Sequence, residues 1–143
     1  MARFTNQAQL RYGRSIANSN IAVGEILEVL SAAKEAVRNT YRQNDTITYV
    51  ISIVNAGTLA YTGLTITDNL GAYPYNTTTL VPLDYMEGTA KYYINGVLQP
   101  APAVTAGPPL VINEITVPAG GNAVIVYEAE VNPYAPLAAT GIL

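Results

Sequence analysis

Between Phe4 and Tyr12 the chain alternates, with Phe4, Asn6, Ala8, Leu10 and Tyr12 on one parity and Thr5, Gln7, Gln9 and Arg11 on the other. A period of two belongs to a strand with one buried face. Gly13-Arg14-Ser15 can turn the chain, and residues 16–23 can return as a second strand, broken at Asn18-Ser19-Asn20. Residues 25–38 admit two readings. Their composition is helical by propensity, and Ile26, Leu30, Ala33 and Val37 make a helical stripe. Taken as a strand, the same stretch puts Ile26, Leu30, Ala32, Lys34 and Ala36 on one face.

The alternation is cleaner further on. Residues 46–54 carry Ile47, Tyr49, Ile51 and Ile53 on one face and stop at Asn55-Ala56-Gly57, and residues 64–70 alternate again. Asn95-Gly96 between apolar runs is a strong hairpin signal. Residues 100–109, rich in Pro, Ala and Gly, are predicted to be loop. Residues 111–117, the Pro118-Ala119-Gly120-Gly121 turn and residues 123–131 supply the last strands. Many short strands with frequent turn signals predict an all-β sandwich.

Composition narrows the chemistry. The 143 residues contain no Cys and no His, which removes thiolate and imidazole nucleophiles, bases and metal ligands. Half the residues are hydrophobic, enough for a packed core of one domain. Eleven Tyr, one Phe and no Trp favour half-wet aromatic positions. A net charge of −3 disfavours nucleic acid as a partner. No apolar run approaches the roughly 20 residues of a membrane span, and the first residues lack a secretory h-region. Charge is unevenly placed: residues 1–24 hold Arg3, Arg11 and Arg14 and no acid, whereas the remainder holds four bases against ten acids. A basic arm on an acidic body suits head-to-tail association.

Three segments together carry a resemblance. They are residues 44–57 (Asn-Asp-Thr-Ile-Thr-Tyr-Val-Ile-Ser-Ile-Val-Asn-Ala-Gly), residues 64–70 (Leu-Thr-Ile-Thr-Asp-Asn-Leu) and Val117-Pro118-Ala119-Gly120-Gly121. In order and spacing they resemble the immunoglobulin-like "conserved repeat domain" of bacterial and archaeal surface proteins, over roughly residues 27–137. The resemblance implies an immunoglobulin-like β-sandwich, a strand for 27–38, a surface, adhesive or scaffold role, and no catalytic activity or cofactor. Tandem members of that family close each repeat with a strand like Thr-Asn-Thr-Ala-Thr-Val and a return containing Ser-Asn. Here the chain reaches Ala138-Ala139-Thr140-Gly141-Ile142-Leu143 before that strand is due, while Phe4-Thr5-Asn6-Gln7-Ala8-Gln9-Leu10 and Asn18-Ser19-Asn20-Ile21 stand at the other end.

The resemblance therefore implies a permuted frame: residues 1–23 as a donor arm and residues 24–143 as a sandwich body lacking its closing strands. Folding the arm back would mean crossing about ten extended residues' length of sandwich at about 3.3 Å each, and residues 23–27 leave little spare chain. Donation to a neighbouring copy fits better, with Phe4, Ala8, Leu10 and Tyr12 as the anchors, and such a heterologous contact propagates. The expected protein is a self-assembling extracellular filament subunit, a pilus or spore appendage displayed on a cell or spore surface. The partner is the chain itself. The competing expectation is a monomeric adhesin or carbohydrate-binding module using Tyr73, Tyr75, Tyr85, Tyr92 and Tyr93.

One constellation has chemistry. Lys34, Asn6 and Asp68 all fall on parities assigned inward. A buried Lys is pushed toward the neutral amine and a buried Asp toward the acid, and a neutral amine can attack an Asn amide polarised by a carboxyl. Some surface proteins with immunoglobulin-like domains join Lys to Asn in this way, and in a donated arm the bond would link subunits. Glu128 is an alternative acid if its face points inward. The simpler reading, which is preferred, gives each a plain role: Lys34 reaching solvent, Asn6 bonding backbone, Asp68 capping a turn. Glu128 and Glu130, two apart on one strand face, read as a solvated face, and no metal site is expected.

Overall fold

The computed structural model describes residues 2–19, 21–26 and 29–136. No helix occurs among them, so none is long and apolar enough to cross a membrane. Four strands lie in residues 2–26: β1 (Ala2–Asn6), β2 (Gln9–Tyr12), β3 (Ser15–Asn18) and β4 (Ala22–Ile26). They form one irregular hairpin, β1 with β4 and β2 with β3. Its tip is the two-residue loop Gly13-Arg14, where Gly13 takes φ +57°. The register sets Asn6 opposite Ala22 but Gln9 opposite Asn18, so two residues on one strand face three on the other. Ser19 stitches this irregularity: its amide donates to the Ala8 carbonyl (2.9 Å) and its hydroxyl accepts from the Ala8 amide (2.8 Å).

Residues 30–131 hold the remaining strands: β5 (Leu30–Ala36), β6 (Thr46–Asn55), β7 (Tyr61–Asp68), β8 (Tyr73–Tyr75), β9 (Thr78–Leu80), β10 (Leu83–Tyr85), β11 (Lys91–Ile94), β12 (Val97–Leu98), β13 (Ala103–Thr105), β14 (Leu110–Val117) and β15 (Asn122–Val131). They make an all-β sandwich of antiparallel sheets. One sheet runs β12-β11-β15-β6-β5, with β10 also paired to β15; the other runs β13-β14-β7; β8 and β9 form a small hairpin. Alternation governs the packing. Ala123, Ile125, Tyr127, Ala129 and Val131 of β15 are buried, as are Ile47, Ile51 and Ile53 of β6 and Leu110, Ile112, Ile115 and Val117 of β14. Asn95-Gly96 forms the expected tight turn, with φ +47° and +82°, between Ile94 and Val97.

Two segments depart from the propensity-based expectations. Residues 30–36, helical by composition, are strand because they pair with β6 from Leu30↔Asn55 to Ala36↔Tyr49; sheet partners outweigh a weak local preference. Within the Pro-rich stretch expected to be loop, Ala103-Val104-Thr105 form β13, pairing with β14 through Val104↔Ile112.

Asn55, buried, pins the end of β6. Its Nδ2 donates to the carbonyls of Leu59 (2.8 Å), Pro118 (3.1 Å) and Val117 (3.3 Å), and its Oδ1 accepts from the Gly57 amide (2.9 Å). The Asn-Ala-Gly and Pro-Ala-Gly-Gly signals are thus two turns held together by one side chain.

Candidate functional site

The two sheets are unequal, and the mismatch opens a groove. β5 pairs only with β6 and β7 only with β14 among the described strands, so each sheet ends there in a free edge. Between the edges lies a groove of about 490 Å³, walled by Ala32, Ala33 and Lys34 on one side and Ile66, Thr67 and Asp68 on the other, with Ile51 beneath. Directly opposed residues in a ladder share a face. Ala32 and Lys34 oppose the buried Ile53 and Ile51, so they stand on the inner face. Both are nevertheless exposed. Across the groove Leu64 and Ile66 are only half-buried, whereas their partners Ile115 and Ile112 are fully buried. Core-facing positions on both walls therefore lack cover.

The floor of the groove is polar. Lys34 Nζ donates to Asp68 Oδ2 at 2.5 Å, with the Lys34 side chain 38 % and the Asp68 side chain 6 % exposed. The Tyr127 hydroxyl donates to the same Asp68 oxygen. Asp68 Oδ1 accepts from the Leu70 amide at 2.9 Å, closing a turn at the end of β7. The Lys34 ammonium sits 4.4 Å from the centroid of the Tyr49 ring and 5.9 Å from that of Tyr127, and the two rings stack at 5.5 Å. Sequence parity had aimed Lys34 and Asp68 at each other; it did not foresee Tyr127, although that residue lies on the buried parity of residues 123–131.

Electrostatics correct one expectation. Burial works against an ionised Asp68, but the hydrogen bonds from Lys34, Tyr127 and the Leu70 amide, with the Lys34 charge, more than offset it. With the groove open, the carboxyl is held below its ordinary value rather than pushed toward the acid. The Tyr127 hydroxyl is pushed well up, first by burial, then by its bond to Asp68 and the charge it faces. Tyr49 is raised too, by burial and then by Tyr41 and Asp68.

Glu128 is not an alternative acid for this site. It alternates with the buried Tyr127 and Ala129 and so lies on the sheet's other face, opposite Thr48. Glu130 is exposed. Asn6 lies in β1, exposed and paired with Ala22, and the hydrogen bonds of Lys34 and Asp68 do not include it. Ala8 is exposed; the side chains of Phe4, Leu10 and Tyr12 lie outside the described residues, as do Leu27, Glu28 and residues 137–143.

The five tyrosines considered for a sugar face do not share one surface. The Tyr92 hydroxyl bonds the Thr116 backbone, Tyr93, next to it in β11, is half-buried on the opposite face of the strand, Tyr85 packs on Tyr127 with ring centroids 6.2 Å apart, the Tyr73 hydroxyl donates to the Tyr134 carbonyl, and Tyr75 is exposed. Among the described residues no three Asp or Glu side chains are grouped to hold a metal ion. Compared with protein families, characterised proteins and solved structures, the chain matches none of them.

Proposed function

We propose that this chain is a structural subunit that polymerises head to tail, the hairpin of one copy filling the β5–β7 groove of the next. The observation that carries the reading is the exposure of Ala32 and Lys34 on a face whose opposing residues, Ile53 and Ile51, belong to the core. A three-stranded sheet set against a six-stranded one lacks about a hairpin's width of cover, and the strands between residues 2 and 26 form a hairpin that, among the described residues, pairs only within itself. Added to the β7 edge, two more strands would cover Leu64, Ile66 and Ala32. Main-chain bonds to the open edge would supply affinity, and alternate side chains, at positions 4, 8, 10 and 12, would supply fit. Because donor and acceptor are different surfaces, the contact repeats without closing on two copies. Export to a cell or spore surface, as a pilus-like fibre, is the setting this reading favours.

The test is negative-stain microscopy of the purified chain beside Leu10→Asp. Filaments from the parent, and none from the variant with its strand circular dichroism retained, are expected. Filaments persisting in Leu10→Asp would refute arm donation. A second depression of about 290 Å³, lined in part by Tyr41, Tyr49 and Tyr73, favours a competing reading as a monomeric carbohydrate-binding module. A parent that stays monomeric and retains glycans would replace the filament reading.

A further inference from the structure

The outer face of the larger sheet is ordered by charge and by size. Ladder partners share a face, and Val50 and Val126, opposed to each other, alternate with the buried Ile51 and Ile125, so both point outward. Carried across the sheet, the same row reads Lys91, Val126, Val50, Glu35, on β11, β15, β6 and β5 in turn. A cation stands at one end, an anion at the other, and two valines lie between. The neighbouring row reads Tyr93, Val124, Ser52, Ala33, with a large side chain at one end and a small one at the other. Lys91 and Glu35 are both exposed, and among the described residues neither has an ion-pair partner. Three strand spacings of about 4.8 Å hold the two roughly 14 Å apart within one chain.

We propose that this face pairs with the same face of a second copy, about a two-fold axis that runs along the strands between β15 and β6. The charges choose the axis. Rotation about it exchanges β15 with β6 and β11 with β5, so Lys91 of each copy lies over Glu35 of the other, Val126 over Val50, and Tyr93 over Ala33. A two-fold lying across the strands on that row would instead set Lys91 on Lys91 and Glu35 on Glu35, which repels. The rest of the ladder agrees. Glu128 and Glu130, opposed to Thr48 and Thr46 within the sheet, would each cover a threonine of the second copy and not an acid. Facing sheets pack at about −30°, and that rotation displaces the ends of the central row by only about 4 Å, within reach of a lysine and a glutamate. Tyr93 over Ala33 sets large against small, as packed layers require.

Four strands by seven residues make a patch of about 19 by 23 Å, so the pair would bury roughly 900 Å², at the low end for specific contacts. For free subunits the contact is therefore weak and reversible. Lys34 and Ile51 of the groove lie on the sheet's inner face, so the inference does not depend on arm donation. Where subunits are joined in a filament, the same contact would add along its length and hold filaments in pairs.

The experiment uses the full chain carrying Leu10→Asp, so that pairing is read apart from polymerisation, by sedimentation equilibrium up to about 1 mM protein. A reversible dimer is expected. Lys91→Glu and Glu35→Lys each turn two attractions into repulsions, one on either side of the axis, and each is expected to weaken the dimer about tenfold. Lys91→Glu combined with Glu35→Lys restores both pairs and is expected to dimerise as the parent background does. The two side chains are not paired within a chain, so this rescue reports contact between copies. Circular dichroism checks that each variant keeps its strands. A strict monomer at the highest concentration would overturn the proposal, as would a dimer that neither swap weakens or that the double variant fails to restore. Should Leu10→Asp still polymerise, the swaps are read in filament width: paired filaments, single ones with either swap, and paired again in the double variant. Widths indifferent to the swaps would overturn the pairing.

Discussion

Tyr127→Phe isolates one hydrogen bond at the floor of the groove. The substitution removes a single oxygen from a fully buried ring, so the stacking on Tyr49 and the packing against Tyr85 survive. It also removes a donor to Asp68 Oδ2, leaving Lys34 and the Leu70 amide as that carboxylate's partners. A hydrogen bond to a charged acceptor is worth about 1.5–3 kcal/mol, and both ends are buried, so a loss of about 2 kcal/mol at neutral pH is expected. With a urea slope of about 1.5 kcal/mol per molar for a domain of this size, the midpoint falls by roughly 1 M. Circular dichroism follows the transition, in a Leu10→Asp background so that assembly does not add concentration-dependent stability.

The pH dependence makes the test sharper. Asp68 sits below its ordinary value when folded, so its contribution is whole above about pH 4 and is lost as the pH falls through the folded-state value. The gap between parent and Tyr127→Phe is therefore full at pH 7 and closes in that acid range. Lys34→Met is expected to cost less, about 1 kcal/mol, and to shrink with salt, because the lysine is more than a third exposed. Equal midpoints for parent and Tyr127→Phe at pH 7, or a gap that does not narrow as the pH falls below the ordinary carboxylate range, would refute the account of this triad.

Asn55→Ala strands the Gly57 amide and the carbonyls of Leu59 and Pro118, and about 3 kcal/mol is expected. Asn55→Asp should cost more still in urea unfolding, since it aims an oxygen at three carbonyl groups; a variant as stable as the parent would contradict the assignment. On the alkaline side, Tyr127 ionises less readily when folded than the ordinary value near 10. Its contribution is whole below about pH 10 and lost as the pH rises further. The parent should weaken there more steeply than Tyr127→Phe, and parallel curves would argue against it.

Much of the sandwich was legible because its strands obey a strict period. Residues 47–53 and 123–131 alternate without a break, and Asn95-Gly96 can serve little but a tight hairpin. Residues 30–36 were ambiguous because Ala, Lys and Glu speak for a helix locally, and only the ladder to β6 outweighs them. The short strand at 103–105 was hidden between prolines. Parity alone aligned Lys34 with Asp68, since each shares a face with core residues. The ionisation of Asp68 was misjudged: burial alone predicts an acid, and the hydrogen bonds from Lys34, Tyr127 and the Leu70 amide, with the Lys34 charge, together reverse this; of these donors Tyr127, some sixty residues away in sequence, was not visible to parity. Irregular positions escape a period-two pattern altogether; Glu114, with φ +62°, marks the bulge that breaks the β14 register between Ile112 and Ile115.

The two ends of the larger sheet are not alike. β12 is two residues long and runs into Gln99-Pro100, which denies a newcomer any length of edge to pair with, although Val97 and Leu98 are exposed. β5 is seven residues long, free of proline, and stands beside uncovered core. In the proposed head-to-tail assembly, association is therefore directional. A chain of such subunits would carry an empty groove at one terminus and a spare hairpin at the other, so its two tips would elongate at different rates, and a single molecule shaped to plug either tip would stop growth from that end alone.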